Sequence, residues 1–197
     1  MSVTIRVPVM TRDQFLDWAE AQEARHEFDG FEPVAMTGGT LNHNDIAFNL
    51  HRALHGRLQG TECRPRGLDA GVATIGDTVR YPDGVVTCSP AQGVSRLVPA
   101  PVVVFEVISP TSGHMDRLVK VREYAAVASI RRYVIVESAS VGLVVHERRD
   151  AGQQWTVTTL MAGDLLPLPD IGIEVPVAEL YEGVDLPPPA SDAWSPP

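Results

Sequence analysis

Pro101-Val-Val-Val-Phe-Glu-Val-Ile108 is the stretch from which the rest of the chain can be read. A nearly continuous β-branched run of this length reads as a strand covered on both faces. One residue breaks the run. Glu106 is a carboxylate in an otherwise apolar strand, and burying it is costly unless it is paired, protonated or bound to a metal ion. Alternation puts Val102, Val104, Glu106 and Ile108 on one face, with Glu106 near the end of its row, where a sheet opens towards ligands. The plain alternative is a strand-end carboxylate reaching solvent or an arginine.

Downstream of this strand, residues Asp116 to Ala128 read as a helix, on which Asp116, Lys120 and Tyr124 recur at spacings of four and share one face. Ser109-Pro110-Thr111-Ser112 supplies the turn and possible caps before it. Lys120 is the sole lysine among 16 basic residues. In a chain that otherwise uses arginine, a single ammonium points to a place where a compact charge serves and a broad guanidinium does not. An ordinary surface pair between Asp116 and Lys120 is the alternative.

Upstream, Ala70 to Ile75 and Tyr81 to Cys88 look extended. Asp83 lies in Tyr-Pro-Asp-Gly-Val-Val, between a proline that restricts the backbone and a glycine that relaxes it. By itself Pro-Asp-Gly is a common turn. Further out, Thr11 to Ala24 reads as a helix with a capping box from Thr11 and Gln14. His26 to Thr37 reads as a hairpin turning at Asp29-Gly30, and Asn42 to Leu58 as an amphipathic helix closed by Gly60, with Ile46, Leu50, Ala53, Leu54 and Leu58 inward. Strands are expected at Tyr133–Glu137, Val141–Arg148, Gln154–Leu160 and Ile171–Val175. The order predicts an α/β (α+β) fold, a mixed sheet flanked by helices with extra C-terminal strands. One domain is expected over residues 1–185, followed by a proline-rich tail at 186–197.

Bulk composition narrows the function classes. A hydrophobic fraction of 44% over 197 residues suits one full-sized globular domain. No run approaches the roughly 20 apolar residues needed to cross a membrane, and the N-terminus lacks a secretory pattern. Cys63 and Cys88 match no zinc or redox spacing and do not suggest a disulfide framework, so a reducing cytoplasm is the expected location. A net charge of −9 argues against tight passive binding of nucleic acid. It argues less against a metal-dependent nuclease, whose cation restores local positive charge.

The pieces also form an ordered set. Pro-Asp-Gly at 82–84, FEVISPTS at 105–112, Asp116-x-x-x-Lys120-x-x-x-Tyr124 and RRYVIVE at 131–137 together resemble the Uma-type restriction endonucleases, similar in turn to the PD-(D/E)XK nuclease superfamily. HEFDGFEPVAMTGG at 26–39, followed by His43 on a helix, resembles that family's beginning, and the likeness spans about residues 10 to 180. It implies a restriction-endonuclease-like mixed sheet with Asp83 and Glu106 at the end of a central hairpin. It further implies catalytic roles for Asp83, Glu106 and Lys120, with Glu27 and His43 as weaker candidates. The superfamily's usual place for the lysine, two residues after the acid, holds Ile108 here. Lys120 must therefore reach the site from the following helix.

The chemistry expected of such a site is hydrolysis of phosphodiester bonds with Mg²⁺ or Mn²⁺ held by Asp83, Glu106 and the backbone carbonyl of Val107. DNA is the expected partner, with Arg117, Arg122, Arg131 and Arg132 near enough in sequence to meet its backbone. A homodimer would serve to cut both strands of a duplex. Two rival classes share these residues: a non-catalytic interaction protein that keeps the fold, and a metal-dependent hydrolase of small phosphoesters.

Overall fold

The computed structural model describes residues 8–108 and 114–186, with side chains for all of these except residues 114–116. The elements run α1 (Arg12–Glu20), β1 (His26–Phe28), β2 (Pro33–Ala35), α2 (Leu41–Leu58), β3 (Arg64–Arg66), β4 (Val72–Ala73), β5 (Val79–Arg80), β6 (Gly84–Thr87) and β7 (Pro101–Ile108). Then follow α3 (His114–Ala126), β8 (Arg132–Glu137), β9 (Leu143–Glu147), β10 (Thr156–Leu160), β11 (Leu165–Leu168) and β12 (Ile173–Pro176), with 3₁₀ turns at Pro169–Ile171 and Val177–Tyr181. The fold is the expected mixed sheet flanked by helices.

The main sheet has six strands in the order β10-β9-β8-β7-β6-β3. Its one parallel pair is β7–β8, in register from Val103↔Arg132 to Ile108↔Glu137. A parallel neighbour needs a crossover, and α3 supplies it. The helix therefore packs on the sheet beside the strand that carries Glu106.

The five inward residues expected on α2 are all buried, packing with Val103, Phe105 and Val107 of β7 and with Val134 of β8. On the opposite face, Val104 and Ile108 pack with Tyr124 of α3, Ile130 and Tyr133. Val102, expected on the same face as Glu106, instead packs on the α2 side. The β6–β7 pairing shifts register there, jumping from Val86↔Val103 to Thr87↔Pro101, and an extra residue in one strand reverses its direction.

A smaller antiparallel sheet, β2-β1-β5-β4, is covered by α1 through Phe15, Leu16, Phe28 and Val79. The capping box on α1 forms, with Thr11 N–H donating to Gln14 Oε1 at 2.8 Å and Gln14 N–H to Thr11 Oγ1 at 3.4 Å. The helix stops at Glu20, short of Ala24, because residues 21–24 bury no apolar surface that would hold a further turn. The hairpin turns as expected: Asp29 Oδ1 accepts from the N–H groups of Phe31 and Glu32, and Gly30 takes φ +87°.

Three strands went unread, β3, β5 and β11. β5 is two residues long, Val79–Arg80, and lies just ahead of the stretch expected to be extended from Tyr81. β3 and β11 have proline near their centres, Pro65 and Pro167, which reads as a break; both lie at sheet edges, where a missing N–H is tolerated. The cysteines also need correcting. Cys63 and Cys88 form a disulfide, because they flank the paired residues Arg64↔Thr87 and so come opposite each other across β3 and β6. Among the described residues no helix is long and apolar enough to cross a membrane. The expected turn and caps at Ser109–Ser112 and the proline-rich tail beyond Leu186 lie outside the described residues.

Candidate active site

Antiparallel pairing sets Gly84 opposite Phe105, so Asp83, one residue before β6 begins, falls beside Glu106. Asp83 is not a free turn aspartate. Its Oδ2 accepts the Val107 N–H at 2.7 Å, taking over the hydrogen bonding of β7 where β6 has ended. Its backbone carbonyl meets His51 Nε2 at 2.7 Å, which fixes the residue from the α2 side. Gly84 lets α2 pack closely here, since a Cβ there would lie 3.2 Å from Leu50 Cδ2.

Glu106 points to the α3 side and is 5% exposed. Tyr124 Oη donates to its Oε1 at 2.8 Å, and Lys120 Nζ lies 3.2 Å from the same oxygen. Lysine and tyrosine four residues apart on α3 thus converge on one carboxylate, as the shared helical face predicts. Burial pushes Glu106 up to about 7; the Lys120 charge opposes this, while the carboxylates of Glu27 and Asp83 add to it. Burial likewise raises the Tyr124 hydroxyl well above its ordinary value, keeping it a hydrogen-bond donor.

His43 stands in the first turn of α2, which Thr40 caps through the His43 N–H. Its Nε2 is 3.3 Å from Asp83 Oδ1. The hydrogen bond to Asp83 raises the imidazole pKa; partial burial opposes it, and the charges of Asp83 and Glu106 and the Val107 backbone reinforce it. Gly39 makes room for this ring, because a Cβ there would sit 2.7 Å from His43 Cγ.

Glu27 is in the middle of β1 rather than at the end of the first helix, and it acts from behind. Its Oε1 lies 3.4 Å from Lys120 Nζ and accepts the Tyr81 N–H at 3.2 Å, while its Oε2 takes Arg80 Nη1 at 2.9 Å. The Arg80 guanidinium, itself buried, also grips Glu123 in a two-pronged pair at 2.6 and 2.7 Å. Burial disfavours charge on Arg80, but its pairs with Glu123 and Glu27 outweigh that and hold it firmly protonated. Sequence reading missed Arg80 and Glu123. Their signals were slight: Arg80 directly precedes Tyr-Pro-Asp, and Glu123 stands three residues after Lys120 on the same helix.

Asp83, Glu106, Lys120, His43 and the Val107 backbone line one cavity of about 550 Å³, bounded also by Arg25. Of the four arginines expected near DNA, Arg117 is tied to Glu137 at 3.1 Å, and Arg132 is paired with Glu147 and Asp170. Arg122 is exposed. Among the described residues no three side chains of His, Cys, Asp and Glu are grouped to hold a metal between them. The oxygen donors that remain are the two carboxylates and the Val107 carbonyl. A partial, hard-oxygen set of this kind suits a cation that keeps several waters and leaves positions for substrate. Glu106 adds a second sign of fit, since a carboxylate destabilised by burial is relieved by added positive charge.

Known proteins resemble this chain to different depths. A crystal structure described as a putative nuclease belonging to DUF820, from Anabaena variabilis, superposes with a TM-score of 0.69 over 88% of this chain and 98% of its own, at 16% identity. At that identity the likeness speaks for the fold. The uncharacterised Synechocystis protein slr1290 is 32% identical over 180 residues, covering 90% of this chain and 94% of its own. A second uncharacterised Synechocystis protein, sll1609, is 24% identical over 170 residues, covering 82% and 93%. The Uma2 family, described as "Putative restriction endonuclease", matches residues 12–178, and the chain belongs to it.

Proposed function

We propose that this protein is a divalent-metal-dependent endonuclease that hydrolyses phosphodiester bonds of DNA. The observation that carries the reading is the convergence of Asp83, Glu106 and Lys120 on one cavity at the end of the β6–β7 hairpin. Membership of the Uma2 family supports it.

Asp83, Glu106 and the Val107 carbonyl would hold Mg²⁺ or Mn²⁺. A bound ion of this kind supplies Lewis acidity at a phosphoryl oxygen and lowers the pKa of water. The chain's own residues do the rest. Lys120 brings a positive charge to the cavity wall, where it balances charge building on phosphoryl oxygens. Glu27, fixed by Arg80 and the Tyr81 N–H, positions that ammonium from behind. Tyr124 holds Glu106 in one rotamer by donating to Oε1. His43, over Asp83, shields the carboxylate and is placed to exchange a proton at Nε2. Two copies acting together would cut both strands of a duplex.

The test is cleavage of plasmid and single-stranded DNA by the purified full chain, with Mg²⁺ or Mn²⁺ against EDTA, alongside Lys120→Ala and Asp83→Ala. Cleavage should require the ion and fall on the order of 10²–10³-fold in either variant, the usual loss when one group stabilising transition-state charge is removed. Metal binding without DNA cleavage would transfer the site to small phosphoesters. Neither binding nor cleavage would leave an interaction protein on a nuclease fold.

A further inference from the structure

The two edges of the main sheet are built differently. At one end, β3 is three residues long and reads Arg64-Pro65-Arg66; the Cys63–Cys88 disulfide pins it to β6. Charge, proline and brevity are the devices by which sheets avoid pairing with a further strand. At the other end, β10 pairs with β9 through five residues in register, from Thr156↔Glu147 to Leu160↔Leu143. Its sequence, Thr-Val-Thr-Thr-Leu, has no charge, no proline and no glycine. Thr156, Val157, Thr158 and Thr159 are all exposed, so the strand is open on both faces. Threonine and valine favour extended backbone, and such an edge offers a row of unmet N–H and C=O groups.

We propose that β10 is the interface at which a second copy of this chain docks, strand against strand and antiparallel about a two-fold axis, so that one sheet runs through both protomers. The strand suits itself. Being neutral, it brings no like charges together when it meets its own copy. With Thr158 on the axis, Thr158 faces its counterpart and Val157 faces the partner's Thr159, giving β-branched pairs at the centre. Exposed apolar side chains on and after the strand extend the contact: Val157 within it is 58% exposed, and Met161 and Leu165 beyond it are 56% and 52%. In the same register Met161 lies opposite the partner's Trp155, and sulfur against an aromatic ring is a favourable contact. The proposal is independent of the nuclease reading, because it concerns the sheet edge and not the cavity.

Light scattering on the full chain, eluted at tens of micromolar, tests it. The wild type should run at twice its 21.4 kDa. The double variant Val157→Lys, Thr159→Lys should run as a single chain with an unchanged circular dichroism spectrum, since both side chains are exposed. A wild-type single chain, or a dimer that the two lysines leave intact, would overturn the proposal. Should the variant fail to fold, hydrogen exchange on the wild type decides. Amides of Thr156–Leu160 should exchange at least tenfold more slowly at high than at low protein concentration, and equal rates would overturn the interface.

Discussion

The two faces of the main sheet make opposite uses of burial. On the α2 side the strand packs into an apolar cluster, with Leu50, Leu54 and Leu58 against Val103, Phe105 and Val134. On the α3 side the same strand presents Glu106, and a chain of buried ionic contacts runs from it through Lys120 and Glu27 to Arg80 and Glu123. The first face favours folding by removing apolar surface from water. The second repays desolvated charge with attraction and leaves Glu106 under-compensated, its pKa near 7. Glu106 is therefore the costly member of the candidate site, on a strand whose apolar residues hold it in place from both sides.

The sharpest way to break this contrast is Arg80→Met, which takes one cation away from two buried carboxylates, Glu123 and Glu27. Urea denaturation should show a loss of about 3–5 kcal/mol, with Lys120 losing its backing as well. A loss under 1 kcal/mol would mean that the network is solvated and the faces are less different than they look. Leu54→Ala on the other face should cost about 3 kcal/mol through the cavity it leaves, and the cost should be the same at every pH. It should leave metal-dependent cleavage intact wherever the chain is folded.

The smallest effect is the most diagnostic. Glu106 has a folded-state pKa raised from 4.5 to about 7, so the folded chain binds more protons than the unfolded one between those values. Its contribution is fully present below pH 4.5 and is lost as pH rises through about 7. In metal-free buffer, stability attributable to this group should fall across that window by on the order of 3 kcal/mol, the equivalent of the shift. Glu106→Gln should flatten the slope and melt higher than wild type at pH 8. An unchanged slope would sink the account of Glu106 as a strained carboxylate.

Much of this was legible in the sequence because it was local. Strand β7 has the ends expected of it, and the α1 capping box and the Asp29-Gly30 turn follow from residues within four positions of one another. Lys120 and Tyr124 could be put on one helical face from spacing alone. What stayed hidden depends on pairing between distant segments. The disulfide exists because β3 meets β6 across 25 residues, and the Val102 reversal because β6 and β7 slip by one residue. Arg80 reaches Glu123 across 43 positions, a distance over which no periodicity carries information.

The Val107 amide, satisfied by the Asp83 side chain where β6 gives out, gives position 83 two meanings. It is the final rung of the β6–β7 ladder and the first polar group of the cavity, so a saturation library scored for solubility and one scored for activity would both single it out. Asparagine, which still offers an oxygen to Val107, uncouples the two. Position 106 has no such double duty in the backbone. There the scores should diverge, and the divergence itself would map where architecture ends and chemistry begins.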